Sequence, residues 1–396
     1  MNRSKRDPAT GIPGAGFYFA LFALEGEEMP SRAVWAEVDL EAIEHNIKVI
    51  KEKIHGNARF CAVVKANAYG HGAIPVAKAA AAAGADYFAV AILKEAIELR
   101  DAGFKTPILI LGLTPLEQAK EIVDYDITAT VFSIEAAEAL SKEAVRQHKN
   151  VKVHLAVDTG MGRIGVRPEQ AGGMAKQITS LENVELEGMF SHFALADSSD
   201  KTFAYEQLAR FKVAIASVKA SGIDIAIKHL ANSAATLEMP ETHFDMVRPG
   251  VILYGLWPSD EVSRETDLRP AMTLKARIAY VKSMQPEETV GYGRTFTVKR
   301  QSRIATLPIG YADGYTRLFA GKAQVEIHGK RAAVVGRICM DQCMVDVTDI
   351  KETTFDDEVV LFGSQTLTTD EAASWIGTIN YEIVCMVGAR VPRIYK

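Results

Sequence analysis

From Val34 to about Val251 the chain alternates short β-branched and apolar runs with segments of helical period, and this alternation constrains the fold more than any other feature. Strand candidates fall at 59–64, 87–91, 107–111, 128–132, 151–157, 184–190, 224–229 and 245–247, with helical patterns such as 93–103 and 201–220 between them. Eight repeats in some 220 residues point to an α/β fold closed as a (β/α)8 TIM barrel, although periodicity alone also admits an open doubly wound sheet. The first helix is the clearest. Asp39 can cap its free amides, and Ile43, Ile47, Ile50 and Ile54 recur on one face.

After Asp267 the texture changes. Runs at 272–284, 295–299, 303–307, 324–328, 331–335, 343–347 and 358–362 read as strands separated by turn residues, and helical pattern nearly vanishes. The expected organisation is therefore an amino-terminal extension over 1–31, a barrel over 32–267 and a mainly antiparallel β domain over 268–396, with the boundary near Arg269-Pro270.

Composition removes several classes of function. Lys and Arg total 45 against 50 Asp and Glu, for a net charge of -5, and no basic block is present, which argues against a nucleic-acid partner. Four cysteines, Cys61, Cys339, Cys343 and Cys385, lack a C-x-x-C pair or metal-ligand spacing, so they are read as reduced and mostly buried, with no metal site. No apolar stretch approaches the roughly 18 residues that span a bilayer, so no membrane segment is expected. The start combines Arg3, Lys5 and Arg6 with an apolar run from Ala15 to Leu24. Asp7 and Pro8 interrupt the approach to this run, Glu25, Glu27 and Glu28 follow it, and no small-x-small site closes it. A cytoplasmic protein is expected, with residues 1–31 a disordered extension or Met29 the true start.

In a barrel the chemistry gathers at the carboxyl ends of the strands. There the first strand delivers Lys65-Ala66-Asn67-Ala68-Tyr69-Gly70-His71-Gly72, the fifth Asp158-Thr159-Gly160-Met161-Gly162-Arg163 and the sixth Ser191-His192-Phe193. The seventh delivers Ala231-Asn232-Ser233-Ala234 and the eighth Arg248-Pro249-Gly250-Val251. Ser233 and the Gly250 and Val251 amides lie where barrels build phosphate cradles. Lys65 leaves an apolar strand, and desolvation disfavours its charge, as a Schiff-base lysine requires. Singly, each residue has a plain structural reading: a solvated lysine, a hydrogen-bonded histidine, a turn glycine. Their joint arrival at one rim is what unrelated surface residues have no reason to do. Lysine, phosphate cradle and arginines together suggest pyridoxal phosphate.

The run Val63 through Gly72 resembles the cofactor-attachment segment of alanine racemases. Asp158 through Gly165, Asn232-Ser233-Ala234-Ala235, Met246-Val247-Arg248-Pro249-Gly250, Gly291-Tyr292-Gly293, Ile309 through Gly314, Cys339-Met340-Asp341 and Asn380-Tyr381-Glu382 resemble that family's signatures in the same order. The resemblance runs from about Trp35 to the carboxyl terminus. It implies that Lys65 holds pyridoxal phosphate and acts as one base, with Tyr292 from the partner of a homodimer as the other, racemising alanine and supplying D-alanine for peptidoglycan. It implies further that Arg248 donates to the pyridine nitrogen, and that His192 and Arg248 form the network favouring Tyr292 phenolate. Tyr69, Asn232, Ser233, Gly250, Val251 and Tyr381 would complete the cofactor site. Arg163, the Met340 amide, Tyr311 and Asp341 would face the substrate, Tyr311 narrowing the entrance. Many members carry a lysine, sometimes carbamylated, where this chain has Ala156, which puts the support of Arg163 in doubt. Three other readings compete: a broad-specificity racemase, a noncatalytic pyridoxal-phosphate carrier and a related decarboxylase. The carrier lacks a second domain, and the decarboxylase calls for a carboxylate where Arg248 stands.

Overall fold

The computed structural model describes residues 32–396; the expectations for 1–31 lie outside the described residues. Strand β1 (Val34–Val38) comes first. Eight short parallel strands follow: β2 (Arg59–Val63), β3 (Tyr87–Val90), β4 (Ile108–Ile110), β5 (Ala129–Val131), β6 (Val151–Ala156), β7 (Val184–Phe190), β8 (Ile227–His229) and β9 (Met246–Val247). They form two four-stranded sheets, β4-β3-β2-β9 and β5-β6-β7-β8. A parallel bridge between Leu109 and Thr128 joins β4 to β5, and the Asp245 amide donates to the Lys228 carbonyl at 3.0 Å to join β8 to β9. The ring of eight is thereby closed. All residues of β3, β4 and β5 are buried, because a barrel strand faces the packed interior on one side and helices on the other. The helix Leu40–Lys51 follows its sequence signals. The Asp39 side chain accepts the Ala42 amide at 2.8 Å, and Ile43, Ile47 and Ile50 are buried.

The second region contains β10 (Met272–Arg277), β11 (Tyr280–Met284), β12 (Thr289–Val290), β13 (Phe296–Thr297), β14 (Ser302–Leu307), β15 (Gln324–Ile327), β16 (Lys330–Val335), β17 (Cys343–Asp346), β18 (Glu358–Phe362) and β19 (Arg393–Tyr395). Nine strands form one sheet in the order β11-β14-β17-β16-β15-β18-β10-β1-β19, and β12 pairs with β13 as a separate hairpin. Every pairing in the large sheet is antiparallel except β1 with β19.

Three details differ from the sequence reading. Strand β1, counted there with the barrel segment, pairs with β10 and β19 in the second sheet, so the chain enters through the β domain before building the barrel. Periodicity identifies a strand but not its partner. The run 272–284 is two strands, which pair with different neighbours. Two helices, Thr369–Ile376 and Asn380–Cys385, occupy a stretch where helical pattern nearly vanishes from the sequence. Six to eight residues span about two turns, too little for a period to register. No described helix is long and apolar enough to cross a membrane.

Candidate active site

The carboxyl ends of the barrel strands surround a cavity of about 420 Å³, lined by Lys65, Tyr69, His192, Asn232, Ser233, Arg248, Gly250, Val251 and Tyr381. These nine sequence-predicted residues are brought together from four barrel loops and one helix of the second region. That helix, Asn380–Cys385, also brings Glu382 and Cys385 to the cavity, residues for which the sequence reading assigned no site role. Cys385 is exposed and Cys339 only partly buried, so burial is confined to Cys61 and Cys343; all four are free thiols.

Lys65 begins an unusual turn. Ala66, Asn67, Ala68 and Tyr69 all have φ of 52–53°, four consecutive left-handed residues without a glycine. Each costs about 1–2 kcal/mol, so the surroundings must hold the turn in place. The Gly70 amide donates to Ala66 and the Gly72 amide to Asn67, while the Asn67 side chain accepts the Ala73 amide. Arg393 donates to the Gly70 carbonyl at 2.9 Å, tying the turn to the carboxyl-terminal strand. A Cβ on Gly70 would meet the Val384 carbonyl at 2.3 Å, so the turn and the helix Asn380–Cys385 touch through bare backbone. Burial pushes the Lys65 ammonium below its usual range, Arg163 adds to this, and Glu95 opposes it.

Opposite Lys65, the Ser233 hydroxyl accepts the Gly250 amide at 2.9 Å. A Cβ on Gly250 would lie 2.7 Å from the Tyr69 phenol oxygen, so only glycine leaves this wall open. Asn232 caps the helix Ser233–Glu238 by accepting the Ala235 amide at 3.1 Å. Burial raises the Tyr69 and Tyr381 phenols, which therefore act here as neutral hydrogen-bonding groups.

Arg248 is only 3% exposed and has no carboxylate beside it. Its guanidinium donates to His229 Nδ1 at 2.8 Å and to the Ser191 carbonyl at 2.8 Å, with the His192 Nδ1 at 3.3 Å. Burial lowers its pKa to about 10, still well above neutral pH. His192 is pushed down to about 3 by burial and by Arg248 and Arg163, and is neutral. Arg163 lies in an adjoining recess with Ala156, Ser191 and His192. The free space there is about 20 Å³, room for a single water molecule beside Ala156.

The remaining expected residues are not at this cavity within the chain. Tyr292, Tyr311 and Met340 are 69%, 41% and 53% exposed on the second region. The Tyr311 amide donates to Cys339 and the Ala312 amide to Met340, which binds those two loops together. Tyr292 sits between Gly291 and Gly293, both at positive φ, beside Arg337. A small separate core of Met284, Val290, Val298, Ile304 and Val335 supports that hairpin. Asp341 is engaged by Arg390 at 2.8 Å. Among the described residues no group of His, Cys, Asp and Glu could hold a metal.

Sequence reasoning missed Glu95, which accepts the Ala66 amide at 2.7 Å. Its position three residues into a helix after Ile92 is the signal that could have exposed it. It also missed His154, Glu187 and His229, polar residues buried within barrel strands.

Such a site, with an amine of disfavoured charge, a buried guanidinium and a glycine-lined wall at the mouth of a barrel, defines an enzyme that handles small amines and anions. The family models for the alanine racemase N-terminal and C-terminal domains match residues 38–258 and 271–395. An alanine racemase from Desulfovibrio desulfuricans is 56% identical, covering 92% of this chain and 98% of the relative. One from Methanococcus maripaludis is 50% identical, covering 93% and 100%. Among solved structures, the alanine racemase of Clostridium difficile superposes with a TM-score of 0.90 at 42% identity, covering 93% of this chain and 96% of that one. That of Bacillus anthracis with bound L-Ala-P gives 0.88 at 39% identity, covering 93% and 96%. The chain belongs to the alanine racemase family, isomerases acting on amino acids.

Proposed function

We propose that the protein interconverts L-alanine and D-alanine with pyridoxal phosphate, as a homodimer whose sites are shared, supplying D-alanine for peptidoglycan in the cytoplasm. The observation that carries the reading is Lys65, an amine of depressed charge, opening into the same cavity as Arg248, Ser233 and a Gly250 wall that tolerates no Cβ. These residues fit the cofactor. Lys65 would hold it covalently, the Ser233 hydroxyl with the Gly250 and Val251 amides and the Tyr69 and Tyr381 phenols would take its phosphate, and Arg248 would face the ring nitrogen. When bound, pyridoxal phosphate supplies the electron sink that acidifies the substrate α-carbon hydrogen.

Inversion requires a proton to leave one face of that carbon and another to arrive on the opposite face. The Lys65 amine, kept neutral more readily by burial, serves one face. The Tyr292 phenol of the partner serves the other; its exposure on a hairpin backed by its own small core, with Tyr311 and Met340 also exposed on the second region, supports a role completed by a second chain. Arg248, a donor only, keeps its charge at neutral pH and cannot pass a proton to the ring nitrogen. Arg163 and the Met340 amide would hold the substrate carboxylate, with Asp341 beside it, and Tyr311 with Tyr381 would limit the pocket to a small side chain. The test is to incubate the protein with single-enantiomer amino acids and follow optical activity. L- and D-alanine are expected to racemise and bulkier residues to persist. Lys65→Ala should abolish both turnover and the visible cofactor absorbance; turnover without any visible band, or a band unaltered in that variant, overturns the assignment.

A further inference from the structure

Behind Arg248 a line of polar side chains runs through the barrel interior, away from the cavity. His229 Nε2 lies 2.8 Å from His154 Nδ1, and His154 Nε2 lies 3.1 Å from a Glu187 carboxylate oxygen. Tyr87 donates to the same oxygen at 2.5 Å, and Lys152 donates to the other at 2.5 Å. The line is built rather than accidental. Gly188, next to Glu187 on β7, leaves room for the His154 ring, which a Cβ there would meet at 2.6 Å. The β6–β7 register shifts at Val153/His154, and Phe190 stacks on His229 at 5.0 Å.

The protons along this line can be assigned by counting donors. A guanidinium only donates, so His229 Nδ1 must accept from Arg248, and a neutral His229 carries its proton on Nε2. That proton can only be donated to His154 Nδ1, which places the His154 proton on Nε2, facing a carboxylate that only accepts. Each contact is satisfied in one direction alone. Reversing either ring sets N–H against N–H somewhere on the line, an unpaired donor in a dry interior.

We propose that Glu187 is a positioning residue for Arg248, acting at a distance by fixing His154 and His229 as neutral Nε2–H tautomers. With its proton elsewhere, His229 would confront the guanidinium with a donor and turn it from the cavity. The carboxylate is also the sole acidic group on the line, its second oxygen paired with Lys152. The inference rests on the reading of Arg248 as the residue facing the cofactor ring.

The test is 15N NMR of histidine-labelled holoenzyme, with the His154 and His229 signals assigned by single replacements. Both rings are expected as neutral Nε2–H forms at pH 7 in the wild-type protein. In Glu187→Met, which removes the acceptor, the His154 signal is expected to lose that single tautomer, with kcat falling on the order of tenfold, the worth of one buried hydrogen bond, and KM for alanine unchanged. Lys152→Met, which leaves the His154 contact in place, should keep the wild-type tautomers. An Nδ1–H or charged ring in the wild type overturns the proposal, whether or not the variant folds. So do tautomers that survive in Glu187→Met. Failure of the cofactor reading has a different signature: a wild-type protein without visible absorbance, its histidine tautomers as expected.

Discussion

The Glu95 carboxylate accepts the amide of Ala66 at 2.7 Å, one peptide beyond Lys65, while its other oxygen accepts the Ala91 amide at 2.8 Å. One side chain thus joins the loops that leave β2 and β3, and it braces a turn of four left-handed residues that has no glycine to relax it. Removing the acceptor leaves the strain and takes away its support. Glu95→Ala should therefore lower unfolding stability by about 2 kcal/mol, the value of losing charge-assisted hydrogen bonds to backbone amides. A urea denaturation midpoint reads this directly, and an unchanged midpoint would mean the turn is held without Glu95.

If Lys65 and the Tyr292 of a partner serve one site, the two can be supplied by different variants. Lys65→Ala and Tyr292→Phe should each be nearly inactive alone. After mixing, dissociation and reassociation, half of the dimers are hybrids with one intact site of two, so about a quarter of the wild-type rate should return. Tyr292→Phe on its own should depress solvent exchange of the α-proton far more from one enantiomer than from the other. An equal modest loss would remove the phenol from the role of second base, and the absence of recovery on mixing would argue against a shared site.

The barrel was legible because short β-branched and apolar runs alternate with helical segments and end in polar loops, a pattern that needs no partner to be seen. Lys65, His192, Ser233, Arg248 and Gly250 were legible for a related reason, each lying in the short polar or glycine-bearing stretch just past a strand. Strand β1 was misplaced because Val34–Val38 carries no record that β10 and β19 flank it. Tyr381 was legible only through resemblance, since the six-residue helix that presents it is too short for periodicity. The His154–Glu187 line stayed hidden because its members meet through sequence separations of 33 to 75 residues.

Gly250 offers a steric test of the cradle that spares the chemistry. Its φ is negative, so alanine does not require a left-handed backbone here. The added methyl would instead lie 2.7 Å from the Tyr69 oxygen, a contact that forces the buried phenol aside. Gly250→Ala should fold with a near-native circular dichroism spectrum yet bind pyridoxal phosphate at least roughly tenfold more weakly, as a displaced hydrogen-bonding group costs about 1.4 kcal/mol. Fluorescence titration of the cofactor-free protein measures this. Native affinity would show that the phosphate does not rest on this wall.

Acid should expose the buried carboxylate. Burial favours protonation of Glu187, but its hydrogen bonds with His154, Lys152 and Tyr87 prevail and hold it near about 2 instead of 4.5. A carboxylate with a lowered folded-state pKa stabilises the protein fully above its unfolded value and loses that contribution as pH falls through the folded one. The window is thus from about 4.5 down to about 2, and the contribution at neutral pH reaches up to about 3 kcal/mol at 1.36 kcal/mol for each pH unit. His154 and His229, both lowered by burial, add a separate loss below their ordinary value of 6.5. That second loss also operates in Glu187→Gln, so the informative quantity is the difference between the two proteins. Urea midpoints measured over a pH series should show wild type the more stable at pH 7, with the gap constant down to about pH 4.5 and narrowing below it. A gap that opens or closes between pH 7 and 5 would instead place the titrating group on a histidine, and the Glu187 carboxylate would no longer be the end of the line that steadies Arg248.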